Sequence, residues 1–204
     1  MKRKFLSVSM AVVMAVVCLT GCSGNFAKNS FISAAKKNGM NELSEPKDLT
    51  LRRAGAGESY SYFYDVKESH IIESISAFSD YVSPNDVKDF VIAVESMGET
   101  GDHGSCITQA YFLTVKDSDT AEEIYESLIK PLVKPEEGEK DGVTYAVSYQ
   151  GSRNDDSGVE LAYGVYLKDN QIVLIRSDYD SSLKNNCVEG FCKSLGLVSP
   201  YTLR

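Results

Sequence analysis

Apolar residues recur along this chain in two rhythms, and the changes from one to the other mark its elements. Phe31, Ile32 and Ala35 fall at helical spacing within Phe26–Met40, with Gly39 suited to end that helix. Residues 41–58 are polar, contain Pro46 and the Ala54-Gly55-Ala56-Gly57 run, and read as a loop. Ser59–Val66 is a Tyr-rich strand. Asp65-Val66-Lys67-Glu68 then has the form of a capping box, with Ile71, Ile72, Ile75 and Phe78 at helical spacing after it. Asp89–Glu95 is nearly continuous in apolar residues, as a central strand requires. Beyond a Gly-rich loop, Gly98–Ser105, the segment Ile107–Val115 puts Ile107, Tyr111, Leu113 and Val115 on one face of a strand. The strongest helical stripe is Ala121, Ile124, Tyr125, Leu128 and Leu132; Asp119 and Glu122 open it, and Pro131 and Pro135 stop it. Gly142–Gln150 and Val159–Leu167 alternate as strands, and the second turns through Asp169-Asn170 into Ile172–Arg176. A last helix carries Leu183, Cys187, Phe191 and Leu195, with Gly196 as its stop and Gly190 as a weak interior point.

From the first strand onward the order is β-α-β-β-α-β, then a hairpin and a helix. This predicts an α+β domain over residues 26–204, an antiparallel or mixed sheet with helices packed on one face. The order is similar to that of a ferredoxin-like split βαβ unit. Tyr62-Phe63-x-x-Val66-Lys67 and Tyr111-Phe112-x-x-Val115-Lys116 echo each other, but an echo this short falls well below a structural repeat.

Composition sharpens the class. With 43% hydrophobic and 25% charged residues over 204 positions, the chain has enough apolar content for one sizeable core. Trp is absent, so its 12 Tyr and 8 Phe supply the aromatic packing. The formal net charge is −8, and it becomes more negative once Lys2, Arg3 and Lys4 are removed. Such a surface disfavours nucleic acid, whose phosphates need clustered cations, and it disfavours lying flat on anionic headgroups.

The first residues form a separate unit. Lys2-Arg3-Lys4 precedes an apolar run, Phe5–Leu19, shorter than the ~20 residues that cross a membrane core comfortably. Leu19-Thr20-Gly21-Cys22 then resembles the lipobox of bacterial lipoprotein precursors. The resemblance implies a signal peptide over residues 1–21, cleavage before Cys22, and a diacylglyceryl thioether on the Cys22 sulfur. Acylation of the new amino terminus follows in many bacteria. Each buried CH2 contributes ~0.8 kcal/mol, so two or three chains hold a protein durably. Residues 22–25 are then a lipidated tether, and the mature protein is expected on the extracytoplasmic face of a bacterial cell membrane.

Candidate chemistry in the mature part is sparse. Cys106, Cys187 and Cys192 are its other thiols; Cys187 and Cys192 point ~140° apart on a helix and should not pair. A Cys106–Cys192 bridge is open in an oxidising compartment, but free thiols are the simpler expectation. In the Gly98–Cys106 loop, Asp102, His103 and Cys106 could surround a metal, or His103 and Cys106 could act as base and nucleophile. Only His70 is available as a further histidine, and a mobile loop explains the glycines equally well. The acidic groups Asp117-Ser118-Asp119, Asn154-Asp155-Asp156 and Asp178-Tyr179-Asp180 lack EF-hand spacing, and the first and third are placed to cap helices. Ala54–Gly57 lacks the Lys-Ser/Thr ending of a phosphate loop. No cofactor and no catalytic residue is assigned. The expectation is therefore a lipid-anchored, non-enzymatic binding or interaction module of the bacterial envelope, of unknown specificity, for a protein or other envelope partner. The alternatives are a solute-binding lipoprotein serving a transporter and an envelope hydrolase using Cys106 and His103.

Overall fold

The computed structural model describes residues 26–45, 51, 53–75, 80–98, 105–151, 159–180 and 187–203. They build one eight-stranded mixed sheet with helices on both faces. Helix α1 spans Lys28–Lys37 and ends at Gly39, whose φ of 77° is the left-handed turn foreseen there. A two-residue strand β1, Asn41–Glu42, lies parallel to β2, Ser59–Val66. Strands β3, Val87–Gly98, and β4, Ser105–Val115, continue from β2 as an antiparallel meander. Helix α3, Ser118–Ile129, then carries the chain across one face to the far edge of the sheet. From there β5 (Glu136–Lys140), β6 (Val143–Gln150), β7 (Val159–Lys168) and β8 (Gln171–Asp180) return until β8 pairs with β4. Helix α4, Cys187–Leu195, and a 3-10 turn, Pro200–Leu203, close the chain.

The α+β class and the mixed sheet are present, but the sheet is larger than a ferredoxin-like one and its order differs. In a split βαβ unit the first two strands are parallel, with a third inserted between them. Here β2 and β3 are direct antiparallel neighbours, Tyr62 opposite Val94, so the segment joining them need not be a crossover helix. That segment is a 3-10 turn at Glu68–His70 followed by one helical turn, α2, Ile71–Ser74. The foreseen capping box is not made, because Lys67 occupies the cap position without a side-chain hydrogen bond. Phe78 lies outside the described residues.

Helices cover two faces rather than the expected one, and β3 shows why. Phe90, Ile92 and Val94 point to one face, Val91 and Ala93 to the other, and all are fully buried. A strand apolar on both sides must be covered on both sides. On one face α1 and α4 meet over the sheet, with the Phe31 ring 5.2 Å from Phe191 and 5.9 Å from Phe112. On the other, Ala121, Ile124, Tyr125 and Leu128 of α3 pack with Tyr111, Leu113, Val165, Ile172 and Leu174. The edges are protected: β1 is very short, and β5 reads Glu-Glu-Gly-Glu-Lys.

Candidate functional site

Among the described elements, α3 covers only part of the sheet face it packs on. At ~1.5 Å per residue α3 is roughly 18 Å long, while the ten-residue strands below it run roughly 34 Å. The helix starts at the Val115 end of β4 and stops near midsheet. Register then lays out the floor in rows. Under α3, Leu174 stands between Tyr111 and Val165; the next row is Gln109, Arg176, Tyr163 and Ser148; the last is Ile107, Asp178, Leu161 and Gln150.

These last two rows floor a trough made of two adjoining hollows. One, about 230 Å³, is mainly apolar, with Leu128, Leu132, Val133, Leu161, Leu174 and Tyr81 among its walls. The other, about 300 Å³, is polar and is bounded by Leu51, Arg53, Gln109 and Asp178. They share Tyr163 and Arg176. The wall after α3 is held in place by the buried Ser148, whose Oγ donates to the Val133 carbonyl at 2.7 Å.

Arg176 is held from below. Its Nε donates to Gln109 Oε1, while Gln109 Nε2 donates to the Leu51 carbonyl at 3.2 Å. Its guanidinium carbon stands 5.8 Å from the centre of the Tyr111 ring, within cation–π range. Burial raises the Tyr111 phenol above its ordinary range, and the Arg176 charge opposes that rise. Among the described residues no carboxylate lies within ion-pair distance of Arg176; Asp178, the nearest in sequence, is paired with Arg53. A half-buried, positioned cation without a carboxylate partner offers an anionic ligand an oriented pair of donors.

The candidates drawn from sequence fare differently. His103 and Asp102 lie outside the described residues, as do Asn154, Asp155 and Asp156. Cys106 is buried opposite Met97 at one end of the β3–β4 pair. His70 follows β2 at the other end, its Nδ1 3.0 Å from the Tyr64 hydroxyl, so these two are not brought together. Burial pushes the Cys106 thiol up, whereas a nucleophilic thiol needs the reverse. Cys106, Cys187 and Cys192 are all free and buried. Cys187 begins α4, and its backbone N–H donates to Glu95 Oε2 at 3.2 Å, beside a Thr108–Ser177 hydroxyl pair at 2.9 Å. Asp117, not Asp119, caps α3, accepting from the Thr120 N–H at 2.8 Å. Asp178 lies within β8 and caps no helix. Arg176 itself was not singled out from the sequence. The available signal was its place in the alternation Ile172, Leu174, Arg176, a charge at an inward position.

No family model matches the chain, and no curated protein matches it. Among solved structures, the extracellular domain of PknH from Mycobacterium tuberculosis is similar to 69% of this chain over 78% of its own, at 13% identity and a TM-score of 0.36. A likeness this distant assigns neither a fold family nor a function.

Proposed function

We propose that this chain is a lipid-anchored extracytoplasmic binding module of the bacterial envelope, and that it captures a small solute in the trough around Arg176. The guanidinium, fixed by Gln109 at the junction of an apolar and a polar hollow and without a carboxylate partner among the described residues, is the observation that carries the reading. Two hollows of a few hundred Å³ suit a small molecule better than the flat area a protein partner covers. The solute-binding alternative is therefore preferred here to an envelope-protein partner.

The basic start, the short apolar run and Leu19-Thr20-Gly21-Cys22 support the anchor. The described chain begins near Lys28, whose Nζ pairs with Asp65 and Asp89 at 2.9 and 3.1 Å. Those carboxylates stand at the Val66–Phe90 end of β2 and β3, on the α1 side. The trough lies at the opposite end of the strands and on the opposite face. A tether leading into α1 thus meets the domain at the end and face away from the trough.

Cys22→Ser tests the anchor: detergent-phase partitioning should give way to an unprocessed or aqueous product. A processed, lipid-labelled Cys22→Ser protein overturns it. A thermal-shift screen of solutes tests the binding, since a ligand at 100 times its Kd stabilises by ~2.7 kcal/mol.

A further inference from the structure

The geometry points to a ligand class: a monocarboxylate carrying a compact apolar body. This inference rests on the reading of the trough as a solute site and adds its chemistry. Arg176 stands where the two hollows meet, so a group bound to it has the apolar hollow on one side and the polar one on the other. With Nε engaged by Gln109, the guanidinium is oriented before a ligand arrives, which lowers the entropy lost on binding.

Charge sets the anion. Within the polar hollow Arg53 and Asp178 are paired, so among the described residues one positive charge, that of Arg176, is uncompensated. One guanidinium matches one carboxylate in a forked arrangement. A phosphate dianion would place its second charge close to Asp178, in a protein whose net charge of −8 already repels polyanions. The apolar hollow sets the rest of the ligand. Leu128 and Leu174 are nearly buried in its wall, while Val133 and Tyr81 are 52% and 41% exposed at its rim. These two rim residues are among the few large hydrophobic side chains that the described surface leaves open, and an apolar body in the hollow would remove them from water.

The test uses 4-phenylbutyrate and its neutral counterpart 4-phenylbutanamide as probes, with binding followed by NMR titration of the folded mature protein. The carboxylate is expected to bind at least tenfold more tightly than the amide. Arg176→Gln should bring the acid-to-amide affinity ratio down to about one, weakening the acid far more than the amide. Should Arg176→Gln fail to fold, Arg176→Lys replaces it and should lower the acid-to-amide affinity ratio by losing the forked contact. Equal affinity of wild-type protein for acid and amide overturns the carboxylate assignment while leaving the trough a solute site. Absence of binding by both probes at millimolar concentration overturns the trough as a site for this class. Tighter binding of inorganic phosphate than of 4-phenylbutyrate likewise overturns the assignment.

Discussion

The ring of Tyr166 lies back across Gly164, two residues earlier on the same strand, with its hydroxyl 2.3 Å from where a Gly164 methyl would stand. Tyr166 is fully buried and its hydroxyl donates to the Val198 carbonyl at 2.6 Å, so the ring has no room to retreat. The glycine thus marks a close approach rather than a turn. Gly164→Ala should destabilise the fold by ~1–3 kcal/mol, as overpacking does. Gly151→Ala, where the nearest side-chain atom is 3.4 Å away, should change stability by less than ~0.5 kcal/mol. Urea denaturation of both variants checks this; equal midpoints would mean the ring is free to move.

The start of α3 puts the cap on Asp117, where the sequence pattern points to Asp119. Asp117→Ala should lower Tm by several degrees, because the Thr120 N–H loses its acceptor, whereas Asp119→Ala should leave Tm nearly unchanged. That hydrogen bond also holds the Asp117 carboxyl below its ordinary range. Its stabilisation is present above the unfolded-state value and is lost as pH falls through the folded-state one, so the two variants should converge in acid. Thermal melts at neutral and acidic pH measure both effects.

Much of the sheet was legible because alternation reports burial directly. β2 and β6 agree with the sequence to within a residue, and β7 and β8 with their Asp169-Asn170 turn were foreseen as a hairpin. β5 was missed because Glu-Glu-Gly-Glu-Lys carries no apolar signal: it is an edge strand whose identity comes from pairing with β6. The one local clue was Asp141-Gly142, both at positive φ, a two-residue hairpin turn. The split βαβ expectation failed at Lys67–Ser74, where the apolar spacing of Ile71 and Ile75 serves a short turn rather than a crossover helix. Gly190, a weak point in the α4 pattern, has a tertiary cause: a Cβ there would lie 1.9 Å from Asn38 Oδ1 at the end of α1. Arg176 was hidden for a related reason. Its neighbours Gln109 and Tyr163 come from two other strands, and only register unites them.

Glu95 gives a pH effect of opposite sign to Asp117. Burial raises its carboxyl above the ordinary range, against the pull of the Cys187 N–H. A folded-state value above the unfolded one means that the protonated form favours folding. The contribution is fully present below about pH 4 and is lost as pH rises through the folded-state value. Glu95→Gln retains an acceptor for Cys187 and carries no charge. It should match or exceed the wild type in stability at pH 7, and the difference should shrink toward pH 4. Denaturation midpoints across that interval decide the matter; a Glu95→Gln protein weaker at pH 7 would show that the charge itself supports α4.

The three thiols yield the last prediction, and it bears on the hydrolase alternative. Burial is the main cause that raises all three: Cys106 above its ordinary value, Cys192 to about 12, and Cys187 well above its ordinary value, where the Glu95 charge adds to the effect. A thiol attacks only as thiolate, so each is protected twice, by access and by ionisation. Iodoacetamide at pH 7.5 without reductant should leave the native protein unmodified over hours, and addition of guanidinium should label Cys106, Cys187 and Cys192 together. Intact mass before and after unfolding gives the count. Rapid native labelling confined to Cys106 would instead show a reactive thiol at the end of β4 and return the hydrolase reading to consideration. Resistance of any two even after unfolding would instead reveal a disulfide, against the three free thiols of the structure.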